Sequence, residues 1–123
     1  MEKRHLKINN YEEKTLVEVF DFGQAINLLK EGKLVARTGW NGKGMFIFMR
    51  PGDSISKETV LRIKTLPTDF KEWIKSHTSE AGNIVFGSYL CMKAADGSIV
   101  NGWLASQTDM QAKDWCEVDP YSK

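Results

Sequence analysis

Two stretches of this chain alternate strand-like apolar residues around glycine-containing bends. In the first, KLVAR (33–37) and MFIFMR (45–50) flank a bend running from Gly39 to Gly44. Asn41-Gly42 inside it supplies the positive-φ chemistry that tight hairpins require. In the second, YLCMKAADGSIVNGWLA (89–105) turns at Asp96-Gly97. Strands joined by such short turns must run antiparallel, so two hairpins commit the chain to an antiparallel sheet before anything else is known.

The remaining segments read as follows. TLVEVF (15–20) is a short strand, after which Asp21 can cap a helix with Gln24 three positions on. Phe22, Ala25, Leu28 and Leu29 form one apolar face at helical spacing, and Gly32 is a stop signal. The segment 51–88 has a different texture. Ser56 can cap a helix carrying Val60, Leu61 and Ile63 that halts at Leu66-Pro67, and Thr68 can cap another. In that second helix Phe70, Trp73, Ile74 and His77 recur at i, i+3, i+4 and i+7, which predicts packing roles for Trp73 and His77. SEAGN is a loop, Thr108 or Asp109 can cap a single helical turn, and WCEV closes as a short strand. The expected fold is α+β: one domain over 1–123, a small antiparallel sheet, one main N-terminal helix and a helical insertion at 51–88.

With 123 residues, 41% of them hydrophobic, a single core is possible but small, and self-association would relieve that. Seventeen basic and sixteen acidic residues leave a net charge of +1. No basic stripe marks a partner for DNA or RNA, and the basic start MEKRHLK reads as a solvated terminus. No apolar run approaches the roughly 20 residues of a membrane span, and no secretory leader is visible, so a cytoplasmic protein with no membrane partner is expected. Cys91 and Cys116 stand apart and are expected to be reduced thiols.

Phosphate-loop and dinucleotide-fold glycine motifs are missing. Two histidines, His5 and His77, give a metal site or a nucleophile–histidine triad little to work with. No cofactor, metal or catalytic residue is therefore assigned. Asp109, Asp114 and Glu117 could in principle supply an acid and a base; the plainer expectation is that Asp109 caps a turn and the other two are solvated.

Three of the four tryptophans share a pattern: Trp40 follows Gly39, Trp103 follows Gly102 and Trp115 follows Asp114. An indole usually goes where it can bury about 150–250 Å², and Trp40 instead sits in a bend. Glycine beside an indole lets backbone approach closely, and rings with Asn, Thr and Asp nearby suit a nucleobase, which needs a stacking plate and edge hydrogen bonds. Ordinary core roles remain the alternative for Trp40 and Trp103, and are the leading one for Trp115.

GWNGKGMF, MKAADG and GWLASQTDM followed by DW, within 22–50 and 89–118, resemble the second Thoeris anti-defence family of phage and prophage proteins. That resemblance implies a sponge. Thoeris TIR-domain enzymes make a cyclised ADP-ribose signal, and family members hold the 1''-3' glycocyclic ADP-ribose unchanged, keeping it from the effector in the cytoplasm of the infected bacterial host. It further implies a homotetramer, a dimer of dimers with pockets at subunit interfaces, and in some members separate pockets for cyclic dinucleotides or trinucleotides. Residue by residue, Trp40 and Trp103 resemble the aromatic walls around adenine, Phe22 a further apolar contact, and Asn41, Thr108 and Asp109 the polar groups for ribose or base edge. Arg37, which leads into the bend, is a candidate for phosphate charge, or else a sheet-surface arginine. Two other readings stay open: an enzyme hydrolysing the same nucleotide with Asp109 or Asp114 as base, and a protein-interaction module anchored by its tryptophans.

Overall fold

In a computed structural model of the protein, residues 2–7, 14–40 and 44–121 are described. They form two compact units, one of residues 1–50 with 89–123 and one of residues 51–88. Asn41, one of the candidate site residues, lies outside the described residues together with the rest of its Asn41-Gly42 turn.

The first unit holds a five-stranded antiparallel sheet, a two-stranded one and one main helix. In chain order it holds β1 (Glu2–Lys7), β2 (Lys14–Val19), α1 (Phe22–Lys30), β3 (Leu34–Arg37) and β4 (Phe46–Arg50). In the second unit follow β5 (Asp53–Ser56), α2 (Lys57–Arg62), α3 (Thr68–His77) and β6 (Asn83–Phe86). The chain then returns to the first unit with β7 (Tyr89–Lys93), β8 (Ile99–Asn101), α4 (Gln107–Gln111) and β9 (Trp115–Val118). The sheet order is β8-β7-β4-β3-β9. Both hairpins form as the alternation requires, with Val35 opposite Ile47 and Met92 opposite Val100. Arg50 pairs with Tyr89, so residues 51–88 are inserted between neighbouring strands.

α1 starts where its cap chemistry puts it. The Asp21 carboxylate accepts the Gln24 backbone N–H at 2.9 Å, and Glu31 and Gly32 close the last turn. Its inner face buries Ala25 and Leu29 against Phe20, Val35, Ile47, Met92 and Trp115, which together make the core. β9 lies along β3 in register from Leu34↔Val118 to Arg37↔Trp115, bringing the last strand beside the first hairpin.

The basic start of the chain holds a strand that its composition did not signal: β1 pairs antiparallel with β2 from Glu2↔Val19 to Lys7↔Lys14. A basic, polar sequence conceals a strand when its partner supplies the hydrogen bonds. β5 and β6 were also not legible in sequence; they pair with each other from Asp53↔Phe86 to Ser56↔Asn83.

In the second unit Ser56 caps α2 as expected, accepting the Thr59 N–H at 3.2 Å. The helix ends at Arg62, four residues earlier than Leu66, and α3 is preceded by Pro67 rather than capped by Thr68. Val60 and Ile74 are buried, and so is Lys57. The Lys57 ammonium donates to the carbonyls of Lys75 (3.1 Å) and Thr78 (2.9 Å). A cation there neutralises the negative end of α3. Trp73 and His77 are not core residues: Trp73 is 51% exposed, and the two rings stack on each other at 4.5 Å along the outside of the helix. Helical spacing groups residues on one face without saying how far that face extends beyond the buried stripe, here centred on Ile74.

Two truncations separate these roles. Trp115→Ala, at a fully buried ring, should cost about 3–5 kcal/mol. Trp73→Ala should cost only about 1 kcal/mol, the worth of a surface aromatic pair. Urea unfolding of both variants, followed by circular dichroism, measures the difference.

Candidate functional site

Trp115 opens β9 and lies wholly inside the first unit, and three other rings pack around it. Phe22, the first residue of α1, tilts onto it with centroids 5.2 Å apart. Trp40 meets it edge to face at 5.3 Å and Trp103 does so at 6.4 Å. Trp40 and Trp103 also meet each other, at 6.2 Å with planes 68° apart. Both are partly exposed. Planes so crossed cannot clamp a flat base from two sides; they form a corner that offers it one ring face and one ring edge.

The two glycines before these indoles have different purposes. Gly102 adopts φ +77°, a left-handed conformation that suits glycine, and the next residue, Trp103, donates its N–H to the Leu90 carbonyl at 2.7 Å. At Gly39 the constraint is space: a Cβ there would lie 2.9 Å from the Asp114 carboxylate.

That carboxylate organises the polar side of the corner. Asp114 Oδ1 accepts from Arg37 Nε at 2.9 Å, and its Oδ2 accepts from the Gly39 N–H at 2.8 Å and the Thr38 hydroxyl at 3.3 Å. Asp109 Oδ1 accepts from the other end of the guanidinium, Arg37 Nη1, at 3.0 Å, with the Trp40 indole N–H at 3.5 Å. The second oxygen of Asp109 accepts the Ser106 N–H at 3.1 Å, while Ser106 Oγ accepts the Asp109 N–H at 3.0 Å. This reciprocal capping box starts α4. The Asp109 carbonyl in turn accepts the Trp115 indole N–H at 2.9 Å.

These bonds decide the charge states. Burial raises both carboxylates toward neutrality, but the Arg37 guanidinium and the backbone N–H groups outweigh it and hold both below the usual carboxylate range. Burial likewise opposes charge on Arg37, and its hydrogen bonds to Asp114 and Asp109 reverse the balance, raising its pKa. Cys116 behaves oppositely. Burial, with the Asp114 charge adding to it, pushes its thiol to about 11, so it stays protonated at neutral pH.

Phe22, Arg37, Trp40, Trp103 and Asp109 thus converge around Trp115. Thr108 is exposed on the first turn of α4, beside Asp109 in the chain. The sequence expectation of Thr108 or Asp109 as the cap is corrected: Ser106 is the N-cap of α4, Thr108 lies within the helix, and Asp109, at its third position, completes the capping box with its side chain. Asp114 corrects the expectation of a solvated carboxylate, being only 7% exposed, whereas Glu117 is exposed. Sequence reasoning passed over Thr38 and Ser106, and it weighed Asp114 only as a possible acid or base, not as a partner of Arg37 and Gly39. Serine three positions before Asp109 was a usable capping signal; the reach of Asp114 to residues 37–39 was not visible in any local pattern. Among the described residues no three His, Cys, Asp or Glu side chains gather as a metal site, and no helix is long and apolar enough to cross a membrane. A separate groove of about 300 Å³, lined by Val17, Glu18, Phe20, Gln24, Leu28 and Glu117, contains none of the candidate residues.

Fold and site together define a small α+β protein whose first unit carries a partly exposed aromatic corner backed by a carboxylate–guanidinium cluster. Residues 20–118 match the Thoeris anti-defense 2-like domain, and the chain belongs to that family. It is also 37% identical to the Thoeris anti-defense 2 protein of Bacillus phage SP01 over 94 residues, which are 76% of this chain and 89% of the phage protein.

Depressed carboxylate pKa values stabilise the fold above the unfolded value of about 3.9, and that contribution is lost as pH falls through the folded values. Asp114→Asn should therefore melt below the wild type at neutral pH, and the gap should close as the pH is taken below about 4. Melting temperatures of the two proteins across that range provide the check.

Proposed function

We propose that this chain is a Thoeris anti-defence sponge: it binds a cyclic ADP-ribose-type signal, 1''-3' glycocyclic ADP-ribose, and withholds it from the effector in the cytoplasm of the infected bacterial host. The observation that carries the reading is the partly exposed Trp40–Trp103 corner next to Asp109, in a chain of the Thoeris anti-defense 2-like family.

The corner suggests how the signal is held. A base stacked on one indole gains about 1–3 kcal/mol, whereas nanomolar retention corresponds to about −12 kcal/mol. Polar contacts must therefore contribute much of the affinity. Two carboxylates against one guanidinium leave this cluster with an excess negative charge, which repels phosphate and suits donors. In this reading ribose hydroxyls or the adenine amino group turn toward Asp109, with Thr108 and Asn41 as further polar contacts and Phe22 as an apolar one. Arg37 has its charge answered by two carboxylates, and any contact it makes with phosphate uses its remaining N–H donors. Most of the phosphate charge is then met elsewhere, as in pockets shared between subunits of a homotetramer. Ile99, Val100, Leu104 and Met110, all exposed on the first unit, supply apolar surface for such assembly. Cyclic dinucleotides or trinucleotides are further ligands under the same reading.

Binding without turnover is favoured by the state of Asp109. A carboxylate held below its usual range, with both oxygens already accepting hydrogen bonds, makes a weak general base. Calorimetry with 1''-3' glycocyclic ADP-ribose should show tight binding, and heating the complex should return the nucleotide intact by chromatography. Trp103→Ala should weaken binding about 10- to 100-fold. Asp109→Asn should weaken it comparably, without changing the fate of the ligand. More than one product molecule per site from the wild type would replace the sponge by a hydrolase. An assembled protein that takes up no nucleotide would leave an interaction module.

A further inference from the structure

We infer that Asp114 is the positioning residue for the Trp40 ring, acting through the turn at residues 37–40 and through Arg37; its bearing on ligand affinity rests on the reading that Trp40 touches the nucleotide. The turn carrying Trp40 closes on itself by one bond, from the Trp40 N–H to the Arg37 carbonyl at 3.3 Å. Asp114 supplies the remaining restraints. Its backbone carbonyl accepts the Thr38 N–H at 3.0 Å, and one side-chain oxygen holds both the Gly39 N–H and the Thr38 hydroxyl. Its other oxygen orients the guanidinium whose far end meets Asp109, and the Trp40 indole N–H points to the same Asp109 oxygen. The ring is thereby restrained from two sides, through residues 38 and 39 of its turn by Asp114 and at its indole N–H by a 3.5 Å contact with an acceptor that Arg37 helps to place.

Two features make this more than a buried ion pair. Gly39 has no Cβ where one would meet the Asp114 carboxylate at 2.9 Å, so the chain admits the carboxylate against the turn. Asp114 also directly precedes Trp115, which meets the Trp40 ring edge to face at 5.3 Å. Carboxylate and indole platform are delivered by one dipeptide at the start of β9, so the turn is held and the ring supported from the same point.

Labelling the four tryptophans with 5-fluorotryptophan gives one ¹⁹F signal each, and Trp40→Phe assigns the signal in question. In Asp114→Asn the Trp40 signal should shift and that of Trp73 should stay, while affinity for 1''-3' glycocyclic ADP-ribose drops about tenfold or more. Gly39→Ala is the second variant. Its added methyl displaces the same carboxylate without removing its charge, and it should move the same signal. Loss of stability alone would lower the melting temperature and leave the native-state Trp40 signal in place. An unmoved Trp40 signal in either folded variant, or a moved signal with unchanged affinity, overturns the assignment. A wild type that binds no nucleotide defeats the sponge reading instead, and the Trp40 signal still decides whether Asp114 holds the ring.

Discussion

The burial of Trp115 is the interaction on which the rest of the first unit depends. Its backbone exchanges both hydrogen bonds with Phe20, at 3.1 and 2.9 Å, and so joins the end of β2 to the start of β9. Its ring carries Phe22 from the helix, Trp40 from the first hairpin and Trp103 from the segment after the second. A buried indole must also satisfy its N–H, and the Asp109 carbonyl does so. One side chain thus collects elements that are distant in sequence and sets the separation of the two exposed rings.

Polar residues complete what the indole begins. Arg37 lies directly opposite Trp115 in the β3–β9 ladder, so its side chain starts beside the aromatic cluster. Buried charge is tolerated only when it is paired and hydrogen-bonded. Arg37 meets that demand with two carboxylates, one delivered by the residue before Trp115 and the other by a four-residue capping box. Each oxygen of the two carboxylates already has a structural donor, so the cluster holds its geometry through the fold's own hydrogen bonds.

The second unit stands apart in its physics. It has its own small sheet, its own buried pair in Val60 and Ile74, and a buried lysine neutralising a helix end. Its insertion between paired strands explains how 38 residues, 51–88, can be accommodated while β4 and β7 keep an unbroken register from Phe46↔Lys93 to Arg50↔Tyr89.

Local chemistry made much of this legible in the amino-acid sequence. The two hairpins, the Asp21 and Ser56 caps and the closing WCEV strand follow from turn residues, capping side chains and alternation, all of which act over a few positions. The family resemblance carried by GWNGKGMF and GWLASQTDM was legible for the same reason, since the motif residues are contiguous. A core role for Trp115 was the leading sequence reading and is what the structure has, but tertiary structure alone decided that Trp73 lies outside, because helical spacing does not say which ring finds a closed site. It also decided the β1–β2 and β5–β6 pairings, whose stability comes from a partner strand and not from their own composition. Above all it decided that Asp114 is buried against Arg37 and Gly39, more than seventy residues away in the chain. Such a bond depends on two strands lying side by side, and no local pattern encodes that distance.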